Sequence, residues 1–156
     1  MSFSWILGED LTLDLGTSNT LIYSKRKDGK IIEPSVVAVD LNNYEIVAVG
    51  EKAKSMEGKT PDNIITLAPI KGGKIINFEI AQVMLTNLLK KAKSSFSVFH
   101  PKVYIAISSG ISEVDRRAIE DCVIYSGARS VEFIPSAVAS AIGMGLPALE
   151  PSGSIV

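Results

Sequence analysis

The residues most able to do chemistry are Gly16, Thr17, Ser18 and Asn19. They interrupt an alternating apolar stretch, residues 11–23, that reads Leu-Thr-Leu-Asp-Leu-Gly-Thr-Ser-Asn-Thr-Leu-Ile-Tyr. Two strands joined by a tight turn are the expected outcome. Gly16 lets the backbone come close to a ligand, and Thr17, Ser18, Asn19 and Thr20 add side-chain groups to a row of backbone N–H donors. Such a loop can cradle a phosphate. Asp14, on the strand before it, offers a carboxylate to the water shell of a divalent cation accompanying those phosphates. The same residues also meet ordinary hairpin chemistry, so the turn alone leaves both readings open.

The rest of the chain must position that loop. Residues 24–30 form a basic turn and Ile31-Ile32 a third strand; Pro34 confines itself to a strand edge or start, and Val36 to Val39 resume as a buried apolar run. Asn42-Asn43 marks a turn, residues 45–49 another strand, and residues 50–58 a short helix with Ala53 and Met56 inward. Residues 33–62 therefore read as a small inserted unit within a larger body, 10–32 and 63–156, preceded by an apolar segment, 1–9. Residues 61–73 read as a connector, extended at 64–67 and turning at Gly72-Gly73.

Beyond the connector the signals are helical and then mixed. Ala81, Met84, Leu85, Leu88 and Ala92 recur at three- and four-residue spacing and predict a helix over 78–93. Residues 103–107 read as a strand buried on both faces of an α/β sheet. Ser112 to Asp115 resembles a capping box opening a helix with Val114, Ala118, Cys122 and Tyr125 along one face. A further strand at 131–134 and a small-residue helix at 136–144 follow.

Composition narrows the function. The chain has 156 residues, 46% of them hydrophobic, and a formal net charge of -1 with no basic face, which argues against nucleic acid as a partner. One cysteine, Cys122, excludes an internal disulfide framework and suits a reducing, cytosolic setting; its helical spacing marks it as a core residue. His100 has no second histidine with which to bind a metal. Two segments carry unexplained apolar side chains. Trp5 lies in an N-terminal segment too short to span a bilayer, and Phe96, Val98 and Phe99 follow the basic run Lys90, Lys91, Lys93. Insertion into an anionic membrane surface and packing against the body both fit them.

Several runs then point together. Residues 14–23, Glu33-Pro34-Ser35-Val36-Val37-Ala38, Gly58-Lys59-Thr60-Pro61, Glu113-Val114-Asp115-Arg116-Arg117-Ala118 and residues 139–147 resemble, in order and spacing, the MreB family of bacterial actins. The resemblance implies an actin-like (ribonuclease H-like) α/β fold, of which this chain supplies the first large subdomain with its small insert. It implies ATP with Mg, Asp14 holding the metal through water and Gly16, Thr17, Ser18 and Asn19 contacting phosphate. It further implies filaments of like subunits attached to the inner face of the cell membrane, working with the cell-wall elongation machinery to set rod shape. The loop at Val98 and Phe99, with Phe96 before it, falls where that family inserts an apolar loop into the membrane, and the N-terminal segment with Trp5 is expected to help.

Two departures qualify the likeness. The resemblance implies a second glycine-rich phosphate loop beyond Val156, so the chain carries half of a nucleotide site and ATP and Mg should bind weakly. Where the family has two acidic residues and a proline, this sequence has Pro135, Ser136 and Ala137. Ser136 stands near the expected catalytic acid and orients water less well than a carboxylate, which implies at most a slow ATPase. Three classes stay open: a filament-forming ATP-binding protein, a shortened paralogue that modulates filaments without polymerising, and an ATP-dependent enzyme or chaperone of the same superfamily.

Overall fold

The computed structural model describes residues 10–24, 29–93 and 99–147. Strands β1 (Asp10–Leu15), β2 (Asn19–Ser24) and β3 (Gly29–Pro34) form an antiparallel meander. A small unit follows, with β4 (Val37–Asp40), β5 (Ile46–Val49), helix α1 (Glu51–Met56) and β6 (Ile64–Leu67). The chain then makes the hairpin β7 (Ile70–Lys71) and β8 (Lys74–Ile75), helix α2 (Phe78–Ala92), β9 (Lys102–Ile107), helix α3 (Glu113–Tyr125), β10 (Ser130–Pro135) and helix α4 (Ser136–Gly143).

The large sheet runs β10-β9-β1-β2-β3, parallel from β10 to β1 and antiparallel thereafter. Strand alternation sends Leu11, Leu13, Leu15, Ile22, Val103 and Ile105 into one face, where they join Ala81, Met84, Leu85, Leu88, Leu89 and Ala92 of α2 and Ile119, Cys122 and Val123 of α3 in one core. Both helices therefore cover the same face. On the other face Thr12, Asp14 and Tyr23 are exposed and Tyr104 and Ala106 only half-buried. The expectation that residues 103–107 are buried on both faces is thus corrected: a continuous apolar run here reflects one closed face and one partly open face.

The run from Val36 to Val39 has a different cause. Val37 and Val39 enter the main core, whereas Val36 and Ala38 join Ala53 in a second cluster with Ala48, Met56 and Ile64. Strand β4 is apolar on both sides because each side serves a separate core. Residues 64–67, expected as an extended connector beyond residue 62, pair with β4 instead, so the three-stranded sheet β5-β4-β6 runs to Leu67. Pro34 ends β3, the edge strand of the large sheet, where its missing N–H costs no ladder bond.

The N-terminal ends of α2 and α3 carry side-chain caps. Asn77 caps α2 by accepting the Ile80 N–H at 3.0 Å, and Lys90 and Lys91 lie in its last turn. Ser112 Oγ accepts the Asp115 N–H at 3.1 Å and donates to the Asp115 carboxylate at 2.6 Å. The inward face of α3 differs from expectation. Ile119, Cys122 and Val123 are buried, while Val114 is 80% and Tyr125 68% exposed, Tyr125 meeting Phe78 edge-on with ring centroids 6.2 Å apart. With about 100° of turn per residue, residues 114 and 125 lie well over a right angle around the helix from the centre of the stripe formed by Ile119, Cys122 and Val123. Burial pushes the Cys122 thiol up to about 12, with Ser126 acting weakly the other way, which makes it a packing residue rather than a nucleophile.

Candidate functional site

Three strands end at one edge. Asp14, Ala106 and Ile134 lie side by side across β1, β9 and β10, so the loops after these parallel strands, and Ser136 at the start of α4, emerge together at their carboxyl ends. Open α/β sheets bind ligands at that edge. Asp14 is exposed on the open face of the sheet, and Thr17, Ser18 and Asn19 are exposed beyond it.

The loop itself is held from behind. Ser35 is fully buried; its Oγ donates to the Gly16 carbonyl at 2.7 Å and lies 2.9 Å from Thr20 Oγ1, also fully buried. A hydroxyl has one proton, so with Ser35 donating to Gly16, Thr20 donates to Ser35. The Ser35 N–H donates to the Ser18 carbonyl at 2.9 Å. Two loop carbonyls thus turn inward onto one residue. Gly16 is tightly enclosed: a Cβ there would sit 2.4 Å from the Asn19 carbonyl oxygen, so any side chain would open the turn.

Thr17 reaches sideways, its Oγ1 accepting the Gly72 N–H at 2.8 Å from the β7–β8 hairpin. That bond uses a lone pair and leaves the hydroxyl proton for an anion. Across the same hairpin Lys74 pairs with Asp115 at 2.8 Å, tying it to the start of α3. Lys74, and then Ser112, hold the Asp115 carboxyl below the usual carboxylate range.

The remaining predicted site residues divide. Ser136 is exposed at the first turn of α4, whose preceding residue, Pro135, supplies no side-chain cap. Phe99 is 48% exposed, beside His100, whose Nδ1 lies 2.7 Å from the Gly127 carbonyl oxygen. Trp5, Phe96 and Val98 lie outside the described residues. Sequence reasoning missed Ser35, Gly72 and Glu33 as supports of the site. Their side chains or amides act across 15 to 58 positions, and no local pattern signals that.

The donors present suit a phosphate accompanied by a hydrated metal. Among the described residues no cluster of His, Cys, Asp or Glu gathers to cage a metal directly. A single exposed carboxylate fits a metal held mainly by phosphate and water. Among these residues too, no helix is long and apolar enough to cross a membrane.

A family model described as MreB/Mbl protein matches residues 8–156. The chain belongs to the MreB/Mbl family. It is 41% identical over 159 residues to the cell shape-determining protein MreB of Escherichia coli (strain K12), covering 99% of this chain and 46% of that protein. It is 39% identical over 153 residues to the cell shape-determining protein Mbl of Bacillus cereus, covering 97% and 45%. The fold agrees with MreB5 of Spiroplasma citri, solved bound to ADP and to AMPPNP, at TM-score 0.78 and 30% identity over 90% of this chain and 42% of that one. The chain therefore spans about half the length of the relatives it matches, and within the MreB/Mbl family it corresponds to the first part of an actin-like fold.

The Ser35 contacts generate a direct expectation. Ser35→Ala removes a partner of the buried Thr20 hydroxyl and the donor to Gly16, and should lower stability by about 1–3 kcal/mol in urea unfolding. Ser55→Ala, on the exposed face of α1, should stay within about 0.5 kcal/mol. Equal losses would contradict a role for Ser35 in holding the loop.

Proposed function

We propose that this chain is the phosphate-binding portion of an MreB/Mbl-type cytoskeletal subunit, which binds ATP with Mg and assembles into filaments along the inner face of the cell membrane. The observation that carries the nucleotide reading is the loop of residues 16–19: two carbonyls held inward by Ser35, an enclosed Gly16, a free proton on Thr17, and Asp14 one strand residue away. S. citri MreB5, solved with ADP and with AMPPNP, supports the choice of ligand. In this reading Asp14 orients the metal's water shell, Gly16, Thr17, Ser18 and Asn19 bind phosphate oxygens, and Mg supplies charge neutralisation when bound. Filament assembly, membrane contact through Trp5, Phe96, Val98 and Phe99, and a role in cell shape rest on family membership.

Titration calorimetry with Mg·ATP tests the site. The chain should bind with a Kd of 1 mM or tighter, about -4 kcal/mol or better, and Asp14→Ala should weaken binding by roughly tenfold or more. No heat with the native chain, or equal binding by the variant, overturns the assignment.

Hydrolysis is expected to be slow. Phosphoryl transfer to water depends on positioning and electrostatics, and the Ser136 hydroxyl is a poorer water-orienting group than a carboxylate. In a chain that binds Mg·ATP, Ser136→Glu should raise single-turnover phosphate release; a native rate as high as the variant's contradicts this.

A further inference from the structure

Between the small unit and α2 lies a cleft lined by Ile46, Val49, Lys52, Val83, Asn87 and Lys91. One polar link crosses from the large sheet to both of its walls. Glu33, near the end of edge strand β3, has a side chain only 14% exposed. One carboxylate oxygen lies 2.6 Å from Lys91 Nζ on α2, and the other accepts the Glu51 N–H, the first amide of α1, at 2.9 Å.

Helix α1 has no cap of its own. Its N-cap residue is Gly50, with φ +68 and no side-chain bond to the helix, so the orphan amide at its start is satisfied by a carboxylate 18 positions away in sequence. Glycine at 50 is what admits it: a Cβ there would sit 2.1 Å from the Glu33 Oε2 atom. The negative charge also lies at the positive end of the helix. Burial raises the Glu33 carboxyl, but Lys91 and the Glu51 amide outweigh it and hold the group ionised below its ordinary range.

We propose that Glu33 is the latch that holds the small unit closed on the body, its carboxylate capping α1 and pairing with Lys91 of α2 at once, and that Gly50 is required to seat it. The small sheet already shares the main core through Val37, Val39 and Leu67, so the latch acts on what that core leaves loose: the start of α1 and the cleft beside it. Releasing it frees α1 locally while the large sheet stays folded. The latch is a property of this chain whether or not nucleotide binds.

Amide hydrogen exchange on the whole chain, read by NMR at Glu51 and Lys54, the first hydrogen-bonded amides of α1, with Val103 and Ile105 as core references, tests it. Glu33→Ala should speed exchange at Glu51 by about tenfold or more, since a charge-assisted bond is lost, and should also speed it at Lys54 as the start of α1 loosens. Lys91→Met, which keeps the side chain's stem, should speed it by about two- to fivefold, because solvent screens the half-exposed ammonium. Core amides should not change. Gly50→Ala should speed exchange in both backgrounds, because a side chain is strained at φ +68, but by clearly more in the native chain, where it must also displace the carboxylate. Unchanged exchange at Glu51 in Lys91→Met, an equal rise at the core amides, or the same Gly50→Ala increment in both backgrounds overturns the latch.

Discussion

Ser35 hydrogen-bonds the first hairpin through three partners: its hydroxyl joins the Gly16 carbonyl and the Thr20 hydroxyl, and its amide joins the Ser18 carbonyl. Residues 20 and 35 are sealed from water, so none of the side-chain bonds has a solvent substitute. The arrangement fixes which groups of residues 16–19 face inward. Because those carbonyls are spoken for inside, what the loop presents outside is weighted toward donors, the property an anion requires. The geometry depends on Pro34 as well. It ends β3 at the sheet edge and sends the next residue beneath the hairpin rather than along it.

From this point two structures diverge. Ser35 supports the loop, and Glu33, two residues earlier, supports α1 and the cleft beside α2. Residues 33–35 thus serve the 16–19 loop and the small unit together. The open face of the large sheet exposes Asp14, Thr12 and Tyr23. The fold likeness to the first part of MreB5 and the match across residues 8–156 place this arrangement in the MreB/Mbl family. Ser136, at the same strand edge, is where this chain departs from the acidic chemistry its resemblance implies.

Local physics made much of this legible in the sequence. The hairpin at 16–19, the turn at Gly72-Gly73, the stripe of α2 and the Ser112 cap each depend on residues within four positions, so pattern suffices. Contacts between distant segments were not legible. A serine after a proline reads as a loop residue, and only the fold brings it under Gly16. An apolar run reads as doubly buried whether it joins two cores, as at Val36 to Val39, or has one partly open face, as at β9. Val114 and Tyr125 misled because a hydrophobic side chain at near-helical spacing need not lie on the stripe that packs.

The protein forms the 16–19 loop before any ligand arrives, because its inward contacts are all made by the chain itself. Exchange of the Ser35 amide in the nucleotide-free chain tests it most directly. If the Ser35–Ser18 bond is part of the folded core, that amide should be protected to within about tenfold of Val103 and Ile105, which open only with the large sheet. Exchange of the Ser35 amide at the rate of an exposed loop would mean that the loop is not preformed.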